Sequence, residues 1–137
     1  MCTALKTLPD LQFQKQFEDH SLNPKHFNHI GHLRIAWIYL RQSDLELASK
    51  RTCSGIQSYA TSLGASDKFH ATITESILKI MAKRISKSRF TDFPSFLAQN
   101  PDLVKDALSV LYQFYSEKRL FSAQAKKEFV RPDIKNM

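Results

Sequence analysis

Three of the five histidines in this chain fall where helices are expected to begin, on their apolar sides. His29 and His32 stand in Phe27-Asn-His-Ile-Gly-His-Leu-Arg-Ile-Ala-Trp-Ile-Tyr-Leu40, and His70 in Phe69-His-Ala-Thr-Ile-Thr-Glu-Ser-Ile-Leu78. An imidazole turned into a core must find a hydrogen-bond partner, a metal or a ligand, because an unpaired buried polar group costs about 1–3 kcal/mol. The HxxH step sets two rings one turn apart on a helix. Positive helix ends disfavour imidazolium, and the neutral ring is the form that ligates a metal or acts as a base near neutral pH. Three neutral imidazoles with a carboxylate or an open water position suit zinc or non-haem iron. Glu18 is the preferred carboxylate and Glu75 the reserve, while Arg34, Thr72 and Thr74 are placed to orient a bound anion or the ligating groups. HxxH is a far weaker signal than HExxH, and a buried histidine often does no more than bond a backbone carbonyl.

Convergence of these rings depends on the elements that carry them. Only three glycines are present, β-branched alternation is nearly absent, and apolar residues recur at three and four positions, so the expected fold is all-α. Pro9-Asp10 opens a first helix that finishes near Glu18-Asp19-His20, and Ser21 to His26 reads as a loop ahead of a second helix over about 27–41. Ser43-Asp-Leu-Glu46 has the capping-box pattern for a third helix, which Gly64 stops. Ser66 or Asp67 is the expected cap of a fourth helix running to Ile85. A short helix over 92–99, a longer one from Pro101 through Phe114 and a last one after Ser122 complete a single-domain bundle of five to seven helices. Residues 1–8 and 131–137 read as irregular. Short connections make successive helices antiparallel, so the second and fourth begin at one pole, with the end of the first helix beside them.

Composition narrows the function classes. At 137 residues and 42% hydrophobic, the chain can bury a core without staples. Its two cysteines, Cys2 and Cys53, form no CxxC pair or secreted-type framework, which points to a reducing, cytosolic setting. Neither an export signal nor a membrane span is expected. The formal charge of +7 raises nucleic acid as a partner, but the basic residues are scattered, with the densest run at Lys79, Lys83, Arg84, Lys87 and Arg89. No zinc-finger spacing, phosphate-binding loop, GxSxG or dinucleotide fingerprint is present. Cys53 falls inside a helix and carries no mark of a low-pKa nucleophile.

The stretch Phe27 to Leu40, the step Phe69-His70-Ala71-Thr72-Ile73-Thr74, and the later Tyr115-Ser116, Arg119-Leu-Phe-Ser122 and Val130-Arg-Pro132-Asp133 together span most of the chain. In these motifs the sequence resembles an uncharacterised family of small all-helical bacterial proteins with an FxHxxHLRxAWxYL helix, a YHETxT step and a C-terminal RLFSxxA…PD stretch. The resemblance implies a bacterial helical protein and brings no activity with it. Phe69 stands where that pattern has Tyr and Ala71 where it has Glu, so a carboxylate beside His70 is missing here.

Two function classes therefore stand side by side. One is a small helical protein, monomeric or homodimeric, whose buried His29, His32 and His70 cluster holds structure or receives a small-molecule ligand. The other is a metal-dependent or acid/base enzyme built on that cluster, with zinc or iron as the cofactor. Nucleic-acid binding through the basic surface is a third option.

Overall fold

A computed structural model describes residues 8–137; Cys2 and the rest of the segment 1–7 lie outside the described residues. Nine α-helices and no strand occur among the described residues, and five of the helices have seven residues or more. They are α1 (Asp10–Glu18), α2 (His29–Gln42), α3 (Leu45–Ser62), α4 (Ala71–Lys87), α5 (Phe93–Gln99), α6 (Pro101–Lys105), α7 (Ala107–Leu111), α8 (Glu117–Leu120) and α9 (Ala123–Lys127). Single 3₁₀ turns span Pro24–His26 and Ser66–Lys68. No helix among the described residues is long and apolar enough to cross a membrane.

Local capping sets the boundaries, and in three places it departs from the sequence expectation. Helix α2 starts at His29 because the Asn28 side chain accepts from the Gly31 N–H at 3.0 Å. Ser43 ends α2 rather than opening α3, its N–H and hydroxyl both returning to the Tyr39 carbonyl at 3.0 Å. Asp44 caps α3 instead, accepting from the Leu47 N–H at 2.9 Å, as a carboxylate at this position does well. Gly64 then takes φ +71 and stops α3. Ser66 and Asp67 are spent in a 3₁₀ turn, and the cap of α4 is His70, whose Nδ1 accepts from the Ile73 N–H at 3.1 Å. The helix expected from Pro101 through Phe114 breaks at Asp106, where φ −158 and ψ 71 leave the helical region. Its carboxylate takes the Ser109 N–H at 3.2 Å and hydroxyl at 2.7 Å, restarting the chain as α7.

Helix α2 is the core element: Leu33, Ile35, Ala36, Trp37, Ile38 and Tyr39 are all buried. An unbroken apolar run of this kind has packing partners on every side. Trp37 meets Phe96 and Phe93 with ring centroids 5.5 and 6.2 Å apart, and Phe17, Phe27 and Tyr59 form a second aromatic cluster at 5.0–5.7 Å. Such pairs contribute about 0.5–1.5 kcal/mol each beyond their buried area.

Helices α2 and α4 begin together and end together. His29 and His70 line one cavity, while Arg41, near the far end of α2, donates to the Phe90 carbonyl just after α4 at 3.1 Å. Helix α1 lies differently from expectation. Asp10 pairs with Arg34 at 2.9 Å, Gln14 exchanges hydrogen bonds with Gln42, and the Glu18 carboxylate accepts from the Tyr39 hydroxyl. The Glu18 carboxylate is thus turned to the C-terminal half of α2 and not to its histidines.

The C-terminal segment is irregular yet firmly held. Thr72, fully buried, donates its hydroxyl to the Glu128 carbonyl at 2.9 Å and accepts from the Val130 N–H at 3.1 Å. The Tyr115 hydroxyl donates to the Val130 carbonyl, and Ser116 is capped by Asp133 through its N–H (2.8 Å) and hydroxyl (2.6 Å). Arg119 donates to the Arg131 carbonyl at 2.6 Å. The C-terminal motif residues thereby clasp residues 128–134 against α4.

Candidate functional site

His29, His32 and His70 line one cavity of about 230 Å³ among α2, α3, α4 and the turn before α4. Leu33, Ala36, Ile56 and Leu78 form its buried floor; Phe69, Ile73 and Ile77 form apolar walls. Thr74 also lines it. His29 is exposed at the rim beside the exposed Lys68, and His32 and His70 are half-buried. The buried three-histidine cluster expected from apolar spacing is thus graded from rim to wall. The 3₁₀ turn Ser66–Lys68 packs on α3 and sets Lys68 in the lining of the same cavity.

Hydrogen bonding fixes what each ring offers. A carbonyl only accepts, so the 2.7 Å contact from His29 Nε2 to the Leu103 carbonyl places the proton on Nε2. His32 donates from Nδ1 to the Asn28 carbonyl at 3.1 Å, which in the neutral ring leaves Nε2 with its lone pair. His70 uses both nitrogens: Nδ1 accepts from Ile73, and Nε2 donates to the Leu120 carbonyl at 2.9 Å. It is therefore neutral and fully committed. Burial holds the His32 ring below the ordinary histidine value of 6.5, with the bond to Asn28 opposing and the neighbouring His29 adding to the effect. Burial likewise lowers His70, opposed by the bond to Leu120 and aided by Lys126.

The residues do not assemble the expected ligand set. Among the described residues no group of three or more His, Cys, Asp or Glu side chains is disposed to hold a metal ion, and His70 has no free nitrogen to give. No carboxylate lines the cavity. Glu18 is placed elsewhere, holding Tyr39 and lying 3.6 Å from Arg51. Burial first, and then Glu18, keep the Tyr39 phenol protonated well above its usual range. Arg34 is likewise outside the cavity: it pairs with Asp10, not Glu18, and lies over the Phe13 ring at 4.5 Å. Thr72 serves the C-terminal clasp. Thr74 alone of the supporting residues borders the histidines.

Sequence reasoning passes over two lining residues, Thr52 and Lys68. Thr52 is the more informative. It is 1% exposed, and its Oγ1 has no hydrogen-bond partner. The sequence signal was available: Ala48, Thr52, Ile56 and Tyr59 recur at helical spacing on the buried side of α3, so a hydroxyl stands in an apolar stripe. Cys53, the next residue, is a poor nucleophile, since burial and then Glu75 push its thiol up to about 11.

Away from the cavity, the basic run is partly neutralised. Arg84 makes a two-pronged bond to Asp102 at 2.8 Å and reaches Asn100 at 2.9 Å, and Lys79 lies over the Phe129 ring at 5.0 Å. No family model matches the chain, and neither the curated proteins nor the solved structures contain a match.

Proposed function

We infer that the chain is a small-ligand-binding protein whose site is the cavity among α2, α3 and α4. The observation that carries this reading is a mostly apolar cavity lined by three histidines, of which His32 keeps Nε2 without a donor among the described residues. Binding sites combine an apolar lining with a few polar groups that orient the ligand. A cavity of about 150 Å³ already holds benzene, so 230 Å³ suits a molecule of one or two rings, smaller than most cofactors.

The test is a ligand-observed NMR screen of small uncharged organic molecules against the wild-type chain and an Ile73→Trp variant. Ile73 is a partly buried wall residue, and an indole there fills the space. Molecules that bind the wild type and are lost in the folded variant support the reading. Binding that survives the substitution, or a screen with no binder, refutes it.

A further inference from the structure

We propose that the cavity selects apolar ring molecules carrying a hydroxyl or N–H group, which donates its hydrogen to a histidine nitrogen inside the cavity. This rests on the ligand-binding reading and narrows its chemistry. Of the three rings, His70 is used up by Ile73 and Leu120. His32 donates through Nδ1 to Asn28, so its Nε2 is an acceptor, and no described residue donates to it. His29 at the rim likewise keeps Nδ1 as an acceptor once Nε2 is bound to Leu103. The imidazoles of the wall therefore ask for a donor, and a ketone, ether or ester gives them nothing.

Thr52 lines the cavity but keeps its hydroxyl out of reach of its space, so the acceptor nitrogens carry the recognition. The apolar floor and walls account for the ring. The charged and titratable groups facing His32 across the cavity are Lys68 and His70, with His29 on its own helix; no acid is among them. An uncharged ligand thus meets no unpaired buried charge, and Lys68 remains in solvent at the rim.

The experiment compares phenol, toluene, anisole and benzoate by NMR titration at about pH 8, where imidazoles are neutral and phenol keeps its proton. Phenol is expected to bind about 3- to 10-fold tighter than toluene and anisole, the value of one net hydrogen bond, with shifts at Thr52, Ile73 and Ile77. In His32→Phe the advantage of phenol over toluene is lost while toluene still binds. Equal binding of phenol, anisole and toluene overturns the proposed chemistry but leaves the cavity a binding site. Benzoate binding tighter than phenol assigns recognition to Lys68 and overturns it too. Absence of binding by all four probes overturns both this proposal and the reading beneath it. The comparison on the wild-type chain stands even if the variant does not fold.

Discussion

Replacing Thr52 by valine is expected to stabilise the fold. Thr52 is 1% exposed and its hydroxyl has no partner, so folding strips water from that group without compensation. The cost of such a group is about 1–3 kcal/mol. Valine has the same branched outline, leaves no cavity and has a similar helix propensity. With part of the penalty recovered by local adjustment, the gain is about 1 kcal/mol, or a rise in Tm of about 3–5 °C for a chain of this size. Thr52→Ser keeps the hydroxyl and deletes a buried methyl, and should lose about 1 kcal/mol. Differential scanning calorimetry on the three proteins, with urea midpoints as a second measure, decides it. A lower Tm for Thr52→Val would mean that the hydroxyl is already satisfied in the fold, and would refute the reasoning.

Three further outcomes follow from described contacts. His32 and His70 titrate below the ordinary 6.5 in the fold. As pH drops below that value, the unfolded chain takes up protons that the folded one refuses, so their stabilisation is complete above it and declines beneath it. The urea midpoint should fall between pH ~7 and ~5, before the capping acids Asp92, Asp106 and Asp133, held below the usual 3.8, enter their own lower window; a flat midpoint contradicts neutral rings. Thr72→Val strands the Val130 N–H and should cost about 1–3 kcal/mol, with loss of hydrogen-exchange protection at Val130 and Ile134; unchanged protection there refutes the clasp. Gly31→Ala places a methyl against the His26 carbonyl oxygen, which forces the loop before α2 outward and should cost about 1–3 kcal/mol in chemical denaturation. A neutral result would show that this loop yields freely.

The helical class and most helix positions were legible because apolar spacing reports which face of a helix is buried. Convergence of His29, His32 and His70 on one cavity is a matter of pole and direction, which short connections constrain. What failed was finer. Short connections put Glu18 at the histidine pole only if α1 is an ordinary bundle member, whereas the Asp10–Arg34 pair and the Gln14–Gln42 exchange align it along α2. Ring occupancy was illegible: nothing local announces that Leu120, fifty residues onward, would accept from His70. Thr72 and Thr74 are alike in sequence as groups to orient a ligand, yet the turn of the helix sends Thr72 to the clasp while Thr74 borders the cavity. Asp106 shows a local rule winning over periodicity, its side chain offering the backbone a better bond than the next helical turn.

The clasp also governs the order in which the molecule can be completed during synthesis. Helices α2, α3 and α4 meet mostly through contacts between sequence neighbours and can gather while later residues are still being made. Thr72 and Tyr115, however, bond to Val130, and the Ile134 N–H closes onto the Phe114 carbonyl at 2.8 Å. Until residues 128–134 have emerged from the ribosome, the start of α4 holds unpaired groups against a half-formed interior. The nascent chain therefore gains that cooperative increment of stability only once they are out, and a polypeptide cut short before residue 128 should remain a protease-sensitive intermediate.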